Sequence, residues 1–168
     1  MTHPGLPAEL PADFASAIAQ LGAADRMGIE EMKLLVLLEM AGEPLYEKLA
    51  ELVSNQEARR LLLANGREET AHAHRVKKAI EIVSGEAFEI PPQSANPYAV
   101  APPFTEVSPE LLAGVVEGEK KGGLDYERMA AEESNLEVAE LFRQNGREEI
   151  KHGERVSRVI EILQGEGA

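Results

Sequence analysis

The sequence predicts an all-α protein, a four-helix bundle built from two repeated helical hairpins. Apolar residues recur at helical spacing along two long stretches in each half of the chain. The halves align without a gap at an offset of 80 residues, and a long Pro-rich segment separates them. Since a lone hairpin cannot cover its apolar face, the two should pack together about a pseudo-twofold axis. Matched pairs include Glu39 with Glu119, Tyr46 with Tyr126, Asn65 with Asn145, and Gly85 with Gly165.

Length and charge restrict the class of protein. A chain of 168 residues fits one domain of ordinary size. Its net charge of −13 argues against nucleic acid or an anionic membrane as partner, because both would repel it. The sequence has no run of about eighteen apolar residues and no signal-peptide pattern at its start. We therefore expect a soluble, cytoplasmic protein.

The chain contains no cysteine. Disulfides, thiolate metal sites, iron-sulfur centres and a cysteine nucleophile are therefore excluded. Any metal has to be held by carboxylate and imidazole groups.

The first quarter of the chain predicts a short helix followed by a long one. The short helix covers residues 11–21, is ended by Gly22, and lies in an N-terminal extension of residues 1–24. The long helix covers residues 25–53, with Asp25 as its N-cap.

A capping box beginning at Ser54 predicts a tight turn and a second, antiparallel helix that ends near residue 83, with Gly85 just beyond. Five prolines interspersed with aromatic residues then predict an extended crossover that runs along the bundle. The predicted bundle occupies residues 25–168, with repeats 25–85 and 108–165 and the crossover at 86–107.

The second repeat begins with Ser108 as N-cap and Pro109 at the first helical position. This third bundle helix should reach residue 133. A second capping box at Ser134 opens the fourth helix, predicted to end near Leu163 with Gly165 beyond it.

Two related motifs, NGREETAH and NGREEIKH, carry the candidate chemistry. In each, a glutamate precedes a histidine by three residues, as Glu69 precedes His72 and Glu149 precedes His152. Side chains at this spacing leave one face of a helix a turn apart. One such pair is weak evidence in so Glu-rich a chain, but two pairs in the same register of a repeat predict a site.

Distance from the hairpin turns predicts which side chains share a level. Glu39 lies 15 residues before the first turn residue, Ser54, and Glu69 lies 15 after it. Both should be about 22 Å from the turn. The same arithmetic holds for Glu119 and Glu149 about the second turn. The repeat should therefore bring four carboxylates and two imidazoles into one slab of the bundle.

Four carboxylates in a low-dielectric core would repel one another and lose hydration, at a cost of several kcal/mol per ion. Two divalent metals would compensate that cost, and oxygen with imidazole ligands suits iron or manganese better than calcium or copper. One Glu from each of two helices and a Glu-x-x-His from each of the others is the ligand set of di-iron and di-manganese carboxylate bundles. Such metals lie about 3.5 to 4 Å apart.

From residue 29 to about 165 the sequence resembles the ferritin-like di-iron superfamily, and within it the rubrerythrin group without its rubredoxin domain. The resemblance implies a ferritin-like fold and two bound iron ions, with manganese or zinc as possible substitutes. It implies terminal ligands Glu39 and Glu119, bridging ligands Glu69 and Glu149, and capping ligands His72 and His152.

The same resemblance implies a role for two tyrosines. Tyr46 and Tyr126, each seven residues after a ligand Glu, would hydrogen-bond a metal-bound carboxylate of the opposite helix. Ordinary core tyrosines are the alternative. Asn65 and Asn145 would either orient the site or make plain interhelical hydrogen bonds. His74, like His3, has no partner at ligand spacing and is expected on the surface.

The chain departs from the rubrerythrin pattern in two respects. Rubrerythrins carry an extra carboxylate three residues after the third-helix ligand, where this chain has Gly122. Glu43 is a candidate substitute. The chain also lacks a cysteine-ligated centre, so electrons would come from a separate donor or from ferrous iron. Gly42 and Gly122, matched in the repeat, indicate either room for oxygen or peroxide beside the metals or close helix packing.

The preferred hypothesis is a rubrerythrin-like oxidoreductase or ferroxidase that oxidises bound ferrous iron with oxygen or hydrogen peroxide. A second hypothesis is a non-catalytic iron-binding or iron-handling protein, and a third is a structural bundle with a vestigial site. The resemblance also implies a homodimer.

Overall fold

A computed structural model describes residues 3–100 and 102–166, and within them the chain folds into α-helices without a β-strand. The all-α prediction is confirmed. None of the helices in these ranges combines the length and the apolar character needed to cross a membrane. The helices are α1 Phe14–Ala23, α2 Ile29–Leu52, α3 Gln56–Ser84, α4 Pro109–Glu132 and α5 Leu136–Glu166, with a short 3-10 turn at Gln93–Ala95.

Helices α2 to α5 form the bundle, and α1 packs against α2. Helix α2 packs along α3, α4 packs along α5, and the two hairpins meet through α3 and α5. The backbones of α2 and α4 lie further apart than those of the other neighbouring helices, and long side chains join them. A gap therefore remains between them on one side of the bundle.

The apolar core is divided into two clusters at opposite ends of the bundle. One combines the first half of α2 with the second half of α3, and the end of α4 with the start of α5. The other combines the complementary halves of the same four helices. The level between the clusters, halfway along the bundle, is where the candidate donors lie.

The connection between the hairpins lies against the bundle. Phe88 and Tyr98 are buried in the first cluster, and the amide of Asn96 donates to the backbone carbonyl of Leu37 at 2.7 Å. Phe104, further along, packs against the second cluster. The connection therefore spans from one end of the core to the other.

Helix α2 begins four residues later than predicted, and Asp25 is not its cap. The first helical residue is Ile29, preceded by Gly28. The carboxylate of Glu31 accepts from the Gly28 N–H at 3.1 Å, so a side chain inside the first turn satisfies this donor.

The turns between paired helices are capped one residue later than predicted. The side chains of Asn55 and Asn135, rather than those of Ser54 and Ser134, accept from the N–H three residues on, at 3.0 and 3.2 Å. An asparagine carbonyl caps a helix as well as a serine hydroxyl does. Ser108 caps α4 as predicted, accepting at 3.1 Å.

Three glycines were predicted to end helices, and only one of them does. Gly85 adopts the left-handed conformation with φ of 72° and terminates α3. Gly22 and Gly165 instead lie inside α1 and α5. Glycine permits the left-handed conformation but does not impose it. Helix α1 is also shifted from its predicted range, because Asp13 caps it by accepting from Ser16 N–H at 2.7 Å.

Candidate metal centre

Six predicted donors from four helices converge at the middle level of the bundle. Both imidazoles are fully buried, whereas the four carboxylates keep 6–9% of their surface exposed. They form two groups of four that share two glutamates, and within each group the ligand atoms all lie within 4.8 Å of one another. One group is Glu39, Glu69, His72 and Glu149, and the other is Glu69, Glu119, Glu149 and His152.

The first group is centred on Nδ1 of His72. This nitrogen lies 3.1 Å from Oε1 of Glu149, 3.3 Å from Oε2 of Glu39 and 3.7 Å from Oε2 of Glu69. The nearest carboxylate therefore comes from the other hairpin.

The second group mirrors the first. Nδ1 of His152 lies 3.1 Å from Oε1 of Glu69, 3.5 Å from Oε2 of Glu119 and 3.6 Å from Oε2 of Glu149. Glu69 and Glu149 thus each turn one oxygen toward each imidazole. This is the disposition that a carboxylate bridging two ions requires.

The donor set fits a two-metal centre. The Nδ1 atoms of His72 and His152 are the buried side-chain nitrogens or oxygens of the described residues that make no hydrogen bond. Buried polar atoms normally find a partner, so both nitrogens have unused ligand capacity directed at the carboxylates. Two divalent cations would use that capacity and neutralise the four negative charges.

Without cations, protons hold the cluster together. Burial alone would lower the pKa of His72, but the carboxylates of Glu149 and Glu39 outweigh burial and raise this pKa to about 10. The same balance raises the pKa of His152 to about 12, with Glu119 as its strongest carboxylate partner. Cations and protons should therefore compete for the same donors.

The carboxylates divide into protonated and ionised members. Burial, with Glu149 beside it, raises the pKa of Glu119 to about 8. Burial and the charge of Glu149 also raise the pKa of Glu69. Burial opposes ionisation of Glu149 itself, but the adjacent Glu119 and the two imidazoles outweigh burial and lower the pKa of Glu149. Glu149 thus keeps its charge, while Glu69 and Glu119 tend to hold protons.

The two tyrosines orient the carboxylates of α2 and α4 across the bundle. The hydroxyl of Tyr46 donates to Oε1 of Glu119, and that of Tyr126 donates to Oε1 of Glu39 at 2.5 Å. In both carboxylates the other oxygen, Oε2, faces a histidine. Burial, followed by the adjacent carboxylate charges, raises the pKa of both tyrosines, so the hydroxyls remain donors.

An outer glutamate and an arginine hold the far side of each imidazole. Nε2 of His72 lies 3.2 Å from Oε2 of Glu148, and Arg75 donates to both oxygens of that carboxylate at 2.8 and 3.0 Å. A neutral imidazole that donates from Nε2 directs the Nδ1 lone pair into the cluster. The mirror set is His152, Glu68 and Arg155, with distances of 3.0, 2.8 and 2.9 Å.

Comparison with protein-family models matches this chain to Rubrerythrin over residues 36–160. The match includes all six donors and both tyrosines. The chain belongs to the rubrerythrin family. Membership places it in the ferritin-like di-iron superfamily, as the resemblance of its motifs implied. Comparisons with curated proteins and with solved structures gave no match.

The outer pairs are a part of this rubrerythrin-family site that the motifs alone did not reveal. Glu68 and Glu148 are matched at the offset of 80, as are Arg75 and Arg155. Their repetition at this offset was a sequence signal that could have identified them as part of the site. Glu68 and Glu148 lie one position before a donor glutamate and therefore off its face of the helix, so in the sequence they resemble solvated surface charges.

Asn65 and Asn145 join the two hairpins. The amide of Asn65 donates to the backbone carbonyl of His152 at 3.2 Å and its oxygen accepts from Arg155 at 3.0 Å. Asn145 donates to the carbonyl of His72 at 3.3 Å and to the hydroxyl of Tyr126 at 3.0 Å. Both predicted roles therefore apply, since one interhelical bond also positions the segment that carries a histidine.

Glu43, the candidate substitute for the extra carboxylate, lies outside the cluster of donors. Its Oε2 accepts from the hydroxyl of Thr70 at 2.8 Å, and within the described residues Glu43 belongs to neither group of donors. Gly122 leaves that place without a side chain. His74 is exposed, as predicted.

Gly42 and Gly122 face the two shared glutamates, but at different distances. A Cβ on Gly42 would lie 2.5 Å from Cγ of Glu69, whereas one on Gly122 would lie 3.5 Å from Cδ of Glu149. Both glycines also line a cavity of about 270 Å³ on the carboxylate side of the cluster. Close packing thus explains Gly42, and open space is present beside both.

Proposed function

We propose that this member of the rubrerythrin family is a non-haem di-iron protein that oxidises bound ferrous iron with oxygen or hydrogen peroxide. The observation that carries the proposal is the placement of Glu69 and Glu149, each with one oxygen toward each of two buried imidazoles. Under this proposal the six donors are the iron ligands, with these two glutamates as bridges.

The chain's own residues fix the charge and geometry of the site. Tyr46 and Tyr126 each hold one oxygen of a terminal carboxylate and leave the other free to bind. Glu68 and Glu148 hold the outer nitrogens of the imidazoles. Bound iron would supply the redox chemistry, since two ferrous ions give the two electrons that, with two protons, reduce one hydrogen peroxide to two waters.

The oxidant should reach the site from the carboxylate side. The imidazoles are fully buried and backed by the outer glutamates, whereas the four carboxylates retain some exposure and adjoin the cavity between α2 and α4. The reducing equivalents would come from a separate electron-donor protein or from ferrous iron itself.

Anaerobic loading with ferrous iron followed by rapid mixing with oxygen or hydrogen peroxide tests the proposal. We expect two ions per chain and a visible absorption of ferric iron that develops with either or both oxidants. The Glu149→Ala variant should bind less iron and lose this absorption, while His74→Ala should behave as wild type. Full iron loading with no oxidation by either oxidant would contradict the proposal.

One observation favours iron handling without turnover as a second candidate function. The third-helix position that carries a carboxylate in rubrerythrins is Gly122, and Glu43 is bonded to Thr70 instead of standing in for it. A steady-state peroxidase assay with an external reductant separates the candidates. Iron-dependent turnover supports the enzyme, whereas a single oxidation without turnover supports the handling protein.

A further inference from the structure

The cavity beside the metal centre is much larger than the proposed oxidants require. It measures about 270 Å³, whereas a water molecule, comparable in size to oxygen or peroxide, occupies about 30 Å³. An apolar cavity of about 150 Å³ is enough to bind benzene. The space next to the carboxylates could therefore hold an organic molecule of one or two rings.

The walls of the cavity are apolar and come from three helices. Leu35 and Leu38 of α2 face Val115 and Met129 of α4 across the gap between these helices. Helix α1 supplies the third wall with Phe14, Ile18 and Leu21, which recur at helical spacing along one stripe. These side chains offer dispersion contacts and no hydrogen-bond partners. Tyr46 and Tyr126 also line the cavity, but their hydroxyls already donate to Glu119 and Glu39.

Hydrogen bonds and an aromatic contact hold both ends of α1, the third wall, against the bundle. Arg128 of α4 donates to the backbone carbonyls of Leu21 and Ala24 at 3.2 and 3.0 Å, at the end of α1. At its start, Phe14 makes an edge contact with Tyr98, and the Tyr98 hydroxyl donates to the carbonyl of Pro11 at 2.9 Å. The outer side of the groove is thus already occupied by the chain itself, so the space that remains suits a small molecule and not a partner helix, which is about 10 Å wide.

Charge at the floor and rim decides the class of ligand. The floor consists of the four carboxylates of the candidate centre, whose four negative charges two divalent ions would balance, so that the loaded floor offers no net charge to a ligand. At the rim, Lys121 is paired with Asp125 at 2.5 Å. A charged ligand would lose its hydration between apolar walls without gaining a free counter-charge.

We infer that this cavity binds a small, uncharged, apolar organic molecule against the carboxylates of the metal centre. The inference adds an organic ligand to the proposed function and rests on that function only for the metals beside which the ligand lies. Phe14 and Ile18, which remain 44% and 37% exposed, stand at the mouth through which the ligand would enter.

The glycines of α4 offer a matched pair of variants for testing. A Cβ on Gly118 or on Gly114, one turn earlier, would meet no atom within 4 Å. Gly118 lines the cavity, whereas Gly114 does not. The Gly118→Phe substitution should fill the cavity, and Gly114→Phe adds the same side chain outside it.

Saturation-transfer NMR of the zinc-loaded full chain tests binding with three probes of similar shape: toluene, benzoate and benzylammonium. Zinc takes no part in redox chemistry, so binding is measured apart from oxidation. We expect transfer to toluene in wild type and in Gly114→Phe, its loss in Gly118→Phe, and weak or no transfer to the charged probes. No transfer to toluene in wild type, equal transfer in both variants, or equal transfer to a charged probe would overturn the inference.

A second measurement needs no substitution, in case Gly118→Phe fails to fold. With methyl-labelled methionine, toluene protons should show an Overhauser effect to the methyl of Met129, which lines the cavity. An effect confined to the other methionines would place toluene elsewhere and overturn the inference. Toluene binding without iron oxidation would remove the proposed function but leave the binding site, and iron oxidation without toluene binding would do the reverse.

Discussion

The two glutamates shared between the histidines are the residues on which most of the centre depends. Each of Glu69 and Glu149 belongs to both groups of donors, whereas Glu39 and Glu119 each belong to one. Removal of a shared carboxylate therefore leaves both groups short of a donor. Removal of a histidine takes away the one nitrogen donor of its group and leaves the buried glutamates of that group without the imidazole beside them.

The His72→Ala variant should lose most of the rise in melting temperature that bound metal gives to the wild type. Metals that bind the folded state only stabilise it by linkage, and the loss of a ligand weakens that binding. Thermal unfolding with excess Mn²⁺ and with chelator measures the rise. His74→Ala, an exposed histidine two residues on, is the control and should retain the full rise. An unchanged rise in His72→Ala would remove this residue from the ligand set.

The Glu148→Gln substitution should lower metal affinity by about tenfold or more, because partners that orient a ligand imidazole typically contribute that much. Glu148 contacts Nε2 of His72 and holds Arg75, so the variant removes a negative charge behind the ligand with little change of shape. Competition titration with a metal indicator measures affinity. Glu68→Gln should have a similar effect by the repeat, and Glu140→Gln, an exposed acid paired with Arg147, should have none. Equal affinities for all three variants would contradict the proposed role.

At the scale of the helices, glycines set how closely each hairpin packs. Gly66 of α3 approaches Tyr46 of α2, where a Cβ would lie 3.2 Å from the tyrosine Cβ, and Gly146 of α5 approaches Tyr126 in the same way at 3.0 Å. Gly66 and Gly146 each lie three residues before a shared glutamate. The glycines therefore allow each tyrosine to pack directly against the helix that carries Glu69 or Glu149.

The Gly42→Ala and Gly122→Ala variants should differ in direction although the two positions are matched in the repeat. At Gly42 the new Cβ meets the Cβ, Cγ and Cδ of Glu69 at 2.5 to 2.9 Å, so this glutamate must move and metal affinity should fall. At Gly122 the nearest contacts with Glu149 begin at 3.5 Å, so the helix should gain up to about 1 kcal/mol from the better propensity of alanine. Urea unfolding of the metal-free protein and metal titration measure both effects. Similar behaviour of the two variants would show that Glu69 can shift freely.

For the whole molecule, the centre is a buried layer of charge between two apolar clusters. Its stability depends on whether protons or cations neutralise the carboxylates. The pKa of Glu119 rises from 4.5 to about 8, and those of His72 and His152 rise from 6.5 to about 10 and about 12. In the metal-free protein these protons stabilise the fold fully below pH 4.5 for Glu119 and 6.5 for the histidines, and the contribution falls as pH rises through the folded values.

The rise in melting temperature produced by Mn²⁺ should consequently grow between pH 5.5 and pH 8. Over this interval the metal-free fold begins to lose the stabilising proton on Glu119, while fewer protons compete with the metal. The lowered pKa of Glu149 contributes little here, because that group is ionised in both states above its ordinary value of 4.5. Parallel thermal scans with metal and with chelator measure the difference, and His72→Ala should show a small rise at each pH. A rise that shrinks with pH would mean that protons do not compete for the donors.

The sequence by itself determined the fold class, the repeat and the level at which the six donors meet. Helical periodicity fixes where a side chain lies along and around its own helix, and equal distances from a tight turn place Glu39 level with Glu69. Because the second half of the chain repeats the first, Glu119 is placed level with Glu149 in the same way. None of this needs knowledge of how far apart the helices lie.

The tertiary structure alone decided what the donors face across the bundle. Glu149 is the nearest carboxylate to His72, Glu148 and Arg75 join different hairpins, and α1 closes a cavity that its own pattern did not predict. The folded structure also decided that Asn55 and Asn135 cap their helices. Ser54 and Ser134, one residue earlier, are equally suitable N-cap residues by type. Spacing along a chain specifies position on one helix, but distances between helices depend on the packing of the whole core, and these contacts become visible only when it is folded.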